Sequence, residues 1–147
     1  MLRSTTITVA VAVSAACSDG LAPEAAFLVQ ESWEWVSACC GIAGQELTPE
    51  SEGATYVLRF GRDGRVRAIR NGTLLMETGY TVHVAEPDPL ADTFTSVRYD
   101  DPLPLVPGVE PADEHMVTTL EGGGLLLRST SPCADCFRDW EFLPRLE

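Results

Sequence analysis

Lysine is missing altogether, and every basic residue of the 147 is an arginine. Those 10 arginines face 22 Asp and Glu, which leaves a formal net charge of -12 at pH 7. Such a surface repels phosphate, so nucleic acid is excluded as a partner and electrostatic adhesion to anionic lipid is disfavoured. The missing lysine has two readings, an arginine-biased GC-rich genome or adaptation to high salt, and they are compatible. Histidine is scarce as well. His83 and His115 each stand alone without a metal-spaced partner, so both read as surface or satisfied strand positions and no metal site is expected. No serine sits in a Gly-x-Ser-x-Gly elbow, and Gly122-Gly123-Gly124 lacks the following helix that a phosphate loop requires. Carboxylates are so common, as in Glu86-Asp88 and Asp100-Asp101, that their proximity signals a solvated face. The chain is therefore read as a non-enzyme without a cofactor.

Long apolar runs are also lacking. The uncharged run Ile7 to Ala16, mostly Val and Ala, is too short to span a bilayer and follows one charge at Arg3, the pattern of a secretory signal. It ends Ala15-Ala16-Cys17, which resembles the lipobox of bacterial lipoproteins, although Ser14 stands where that motif usually carries Leu. The expectation is a signal peptide over 1–16, a lipidated Cys17 and a flexible tether over 17–30, ahead of a folded domain over 31–147. Cleavage by ordinary signal peptidase after Ala16 is the alternative. Ser18 after the lipidated cysteine, by resemblance to proteobacterial sorting rules, implies the outer membrane. The expected address is the cell envelope.

What is present is alternation. Helical periodicity appears nowhere at length, whereas short runs with apolar residues two apart recur between turns. Trp33 and Trp35 share one side of an opening strand, and Trp140 and Phe142 repeat the pattern near the end. Between them, Thr55–Phe60, Arg65–Arg70, Thr73–Met76, Thr78–Val84, Thr93–Tyr99, Glu114–Leu120 and Leu125–Ser129 read as strands. Asp63-Gly64 and Asn71-Gly72 carry hairpin-turn chemistry. Gln45 to Gly53 reads as loop. Asp100 to Asp113, holding Pro102, Pro104, Pro107 and Pro111, is excluded as an inner strand and reads as a surface excursion. Eight or nine short strands point to an all-β sandwich or up-and-down barrel.

Without Cys17, four cysteines remain: Cys39, Cys40, Cys133 and Cys136. An even count in an exported chain points to disulfides. A bridge between neighbours 39 and 40 is strained, so the favoured pattern ties Cys39 and Cys40 to Cys133 and Cys136 in either order. The first such bridge closes a loop of roughly 90 residues and constrains the unfolded chain by about 4 kcal/mol. A four-cysteine metal site lacks the usual spacer at 39–40, and a redox pair at 133–136 lacks a surrounding βαβ pattern.

In their order, the Trp-bearing first strand ending in Cys-Gly, Phe60-Gly61-Arg62-Asp63-Gly64, Asn71-Gly72, Gly79-Tyr80-Thr81-Val82, a Leu-rich strand and a cysteine before the last strand resemble the lipocalin-like lipoprotein domains of Bacteroidetes and related bacteria. The resemblance covers residues 31–145 and implies a small antiparallel up-and-down β-barrel of about eight strands. The apolar stripe then faces its lumen: Trp33, Trp35, Tyr56, Leu58, Phe60, Tyr80, Val82, Phe94, Leu125, Leu127, Trp140 and Phe142. These residues either fill the barrel or line a pocket for a small apolar ligand, with Trp33, Trp35, Tyr56, Tyr80, Phe94 and Trp140 as its candidate contacts. Three functions follow: a lipid-anchored binding module, a structural lipoprotein with a filled barrel presenting acidic loops to an envelope protein partner, or an esterase or isomerase, for which no residues speak.

Overall fold

The computed structural model describes residues 23–39, 46–84, 94–105, 111–130 and 139–145. Nine strands run β1 Ser32–Cys39, β2 Glu46–Leu47, β3 Tyr56–Phe60, β4 Arg65–Arg70, β5 Thr73–Val84, β6 Thr95–Leu103, β7 Ala112–Thr119, β8 Leu125–Ser129 and β9 Asp139–Pro144. All pair antiparallel in the order β2-β1-β3-β4-β5-β6-β7-β8-β9, and β1 also pairs with β9. That last pairing closes eight strands into an up-and-down barrel, the expected fold class. The short β2 stands outside the ring, beside the far end of β1.

Closure is made by the tryptophan strands. Trp35 lies opposite Phe142 and Ala38 opposite Trp140, with a bulge between Trp35 and Ser37. The extra residue shifts the inward phase, which is why Trp33, Trp35 and then Ala38 are buried rather than Ser37. Arg128 and Asp139 pair opposite each other on β8 and β9 and add a two-pronged ion pair at 2.6 and 3.0 Å.

The hairpins form where the turn residues demand them. Asn71 and Gly72 take φ of 48° and 78° between β4 and β5, and Gly64 takes 72° between β3 and β4. Asn71 also caps its neighbour strand by accepting from the Thr55 amide through Oδ1 at 2.9 Å.

Three expectations change. The two strands read at 73–76 and 78–84 are one, β5, because a bulge opposite Ala68 and Ile69 breaks the alternation without ending the ladder. The first part of the Pro-rich stretch is strand: β6 continues to Leu103 through Pro102. It can do so because the β6–β7 register is irregular between Arg98 and Leu103, so no ladder bond is asked of the proline. Finally, 45–53 is not all loop. Thr48 and Ser51 form a capping box, Pro49 opens the single-turn helix α2 (Pro49–Glu52), and Gly53 closes it at φ 60°.

The register defines two ends. The first is the tether end, holding the start of β1, the 61–64 and 120–124 turns and Arg145. The second is the cysteine end, holding Cys39, the 71–72 turn and the start of β9. A second short helix, α1 (Pro23–Ala26), precedes β1, and Ala25 and Leu28 are buried against the barrel. Leu28 is fully buried and its carbonyl accepts from Trp33 Nε1 at 2.9 Å. The stretch expected as tether is therefore packed over its second half; residues 1–22 lie outside those described.

Candidate functional site

The site to build is the barrel interior. Of the six candidate contacts, the structure brings five together in one core: Trp33, Trp35, Tyr56, Tyr80 and Trp140. Leu58, Phe60, Leu125, Leu127 and Phe142 join them as expected. Trp35 is 1% exposed, Trp140 2% and Trp33 3%, values of packed side chains rather than of rings lining a water-filled mouth. Edge-to-face contacts knit the set: Trp35 on Tyr56 at 5.7 Å between ring centres, and Phe60 on Tyr80 at 5.1 Å. Tyr80 also donates its hydroxyl to the Gly61 carbonyl at 3.0 Å, tying the core to the tether-end turn.

Phe94 is not with them. It precedes β6, is 48% exposed, and belongs to the outward phase, because the inward residues of β6 are Val97 and Tyr99. Reading Phe94 into the lumen put the strand one residue out of phase, and a one-residue slip moves a side chain to the other face.

Sequence reasoning missed the group that makes the interior polar. His115, read as a surface or satisfied strand position, is fully buried, and its Nδ1 lies 3.2 Å from the Tyr99 hydroxyl. Its ring packs edge-on against Tyr99 at 5.6 Å and Trp140 at 5.3 Å. Burial raises the Tyr99 hydroxyl well above its ordinary value, so it keeps its proton. Burial likewise pushes the imidazole down to about 4, with nearby Glu114 opposing, so His115 is neutral at pH 7. Which of Nδ1 and the Tyr99 hydroxyl donates depends on the imidazole tautomer.

His115 Nε2 has no hydrogen-bond partner among the described residues, and neither do the indole N–H groups of Trp35 and Trp140. The Tyr56 hydroxyl and Arg70 Nε are also buried without partners, with the Arg70 guanidinium 5.7 Å above the Tyr56 ring. Burial raises the Tyr56 hydroxyl from its ordinary value, with Arg70 opposing. The interior thus has donors in excess of acceptors. Tyr56 and Trp140 stand near the cysteine end of their strands. Parity is the signal that finds His115: it alternates with Val117 exactly as Val97 does with Tyr99, and register puts it opposite Val97.

The remaining candidates fall elsewhere. His83 is exposed. Cys39, half-buried at the end of β1, is disulfide-bonded. No bridge joins two described residues, because Cys17, Cys40, Cys133 and Cys136 all lie outside them. Asp101 and Thr78 exchange hydrogen bonds at 3.0 and 3.3 Å between β6 and β5, a structural use of that acidic pair; Glu86 and Asp88 lie outside the described residues. Among the described residues, no group of His, Cys, Asp and Glu is arranged to hold a metal, and no helix is long and apolar enough to cross a membrane. No family model matches the chain, and neither a curated protein nor a solved structure matches it.

Proposed function

We propose that the chain is a non-enzymatic, lipid-anchored lipoprotein of the cell envelope, held through Cys17 at the outer membrane, whose filled barrel is a rigid support for acidic loops that meet an envelope protein partner. The observation that carries this reading is the packing of Trp33, Trp35 and Trp140. A barrel that holds a small apolar molecule leaves its largest rings accessible at the mouth, and these three are spent on the core. The resemblance to lipocalin-like lipoprotein domains fits the same reading. Disulfides from Cys39 and Cys40 to the 133–136 pair would brace the loops at the cysteine end, since Cys39 lies opposite Asp139, just after that pair in the chain.

One observation favours a second reading, in which the barrel holds a small guest: the unpartnered indole N–H groups of Trp35 and Trp140. Such a guest would be an acceptor-bearing molecule rather than a purely apolar one. Tryptophan quenching on titration with fatty acids, retinoids and haem-like ligands separates the two. No saturable quenching is expected; a saturable, stoichiometric response would replace the support reading with the container. In parallel, Cys17→Ser should release the protein from the membrane fraction. If both forms are soluble, or both stay bound through a high-salt wash, anchoring at Cys17 is wrong.

A further inference from the structure

We propose that a groove at the tether end of the barrel binds the phosphodiester headgroup of a phospholipid, through Arg59 and Arg145. The inference rests on the anchoring of Cys17 for its choice of ligand, and on the following geometry for its site.

The groove has a volume of about 520 Å³ and is lined by Val29, Gln30, Glu31 and Ser32, which lead into β1, together with Arg59, Phe60 and Arg145. Ser32 is its floor. On one side Ser32 lies opposite Arg59 of β3, and on the other its carbonyl accepts from the Arg145 amide at 2.7 Å. Adjacent strands are about 4.8 Å apart, so the two arginines are rooted roughly 10 Å from each other across one residue. Two guanidinium arms of that reach can close on one anion above Ser32. Each offers a planar fork of donors matched to phosphate oxygens.

Their lack of partners is the informative part. In a chain of net charge -12, carboxylates are available almost everywhere. Arg65, Arg67, Arg98 and Arg128 all take one, at 2.6 to 3.0 Å. Arg70 lies over the Tyr56 ring instead. Arg59, Arg62 and Arg145 have no carboxylate partner among the described residues, and of these three Arg59 and Arg145 flank the same position, Ser32. Among the described lining residues, Glu31 is one carboxylate against two guanidiniums. Gln30 and Ser32 add neutral donors.

Position selects the lipid. Residues 23–30 pack at this end, so the chain reaches the barrel here from Cys17. The six residues from Cys17 to Pro23 span at most roughly 20 Å, which keeps the groove close to the bilayer surface when Cys17 is acylated. The acidic body as a whole is repelled by anionic lipid, so the affinity for one headgroup can be weak and still be met, because the anchor holds the local lipid concentration high.

The test uses the full chain carrying Cys17→Ser, titrated at low ionic strength with monomeric dihexanoyl phosphatidylglycerol and separately with inorganic phosphate, following backbone amides by NMR. Expected are saturable shifts at Ser32 and Phe60 with the lipid, and about tenfold weaker binding for Arg59→Gln combined with Arg145→Gln at an unchanged circular dichroism spectrum. No saturable shift at those amides, or equal binding by the double variant, overturns the site. Phosphate binding as tightly as the lipid overturns the headgroup assignment. The titration needs no acylated cysteine, so its failure leaves anchoring untouched, and failure of the Cys17→Ser fractionation leaves the groove's own binding measurable.

Discussion

Acidification interrogates the barrel interior through His115. In the unfolded chain the imidazole titrates near 6.5, whereas in the barrel burial holds it down to about 4. Above pH 6.5 it is neutral in both states, and its contribution to stability is fully present. As pH falls from 6.5 towards 4, the unfolded chain takes up a proton that the folded barrel refuses, so stability is lost over that window. Below about 4 both states are protonated and the loss stops. Each pH unit inside the window is worth about 1.4 kcal/mol, so roughly 2.5 kcal/mol should go between pH 6.5 and 4.5. Carboxylates held low by partners, such as Asp63 beside Arg67 and Glu114 beside Ser96 and Arg98, lose their contribution mainly below this range. The assay is urea unfolding of the wild type and His115→Gln at pH 7.5, 6.5, 5.5 and 4.5. Whatever constant offset glutamine brings at every pH, the informative quantity is the slope, which should shrink to less than roughly a third of the wild-type value. Equal slopes in the two proteins, or a wild type flat from pH 7 to 4.5, would refute a buried neutral imidazole.

Trp35→Ala removes a fully buried ring and should destabilise by about 3–5 kcal/mol in denaturant melts, with little change in any ligand titration. Asn71→Ala loses both the favoured positive-φ residue of the β4–β5 turn and the bond to the Thr55 amide, and should cost about 1–2 kcal/mol by the same melts. Non-reducing peptide mapping should join Cys39 and Cys40 each to a cysteine of the 133–136 pair; free thiols or stoichiometric zinc in the exported protein would contradict that pairing.

The strands were legible because each hairpin carries its own local chemistry. Arg65–Arg70 and Leu125–Ser129 are bounded by turns whose glycines adopt positive φ, and their limits coincide with β4 and β8. Closure was legible for a different reason: two strands far apart in the chain each carried paired large rings, and those rings need a shared core. What could not be read was phase at the bulges. The irregularity between Arg98 and Leu103 lets Pro102 sit in β6, and the bulge opposite Ala68 and Ile69 joins two apparent strands into β5. A bulge depends on the partner strand, and no local pattern announces it. Phe94 and His115 are the two consequences that matter for the site. One looked inward and is exposed, the other read as a surface or satisfied strand position and is fully buried.

These two revisions move the chemistry of the molecule from its lumen to its ends. An apolar stripe by itself leaves open whether a barrel is full or hollow. Burial of the indoles supplies the core, and the unpartnered N–H groups of Trp35 and Trp140, with the buried His115, keep that core from being simply apolar. Trp35 and Trp140 are buried in the core, and displacing either costs about 3–5 kcal/mol, as for a buried ring. Sites that can be occupied without that cost lie where chain geometry is irregular and charge is unbalanced. At the tether end this means Arg59 and Arg145 on either side of Ser32, two cations without a carboxylate partner among the described residues. β1 is hydrogen-bonded to β3 on one side and β9 on the other, and that pairing places Arg59 and Arg145 on either side of Ser32.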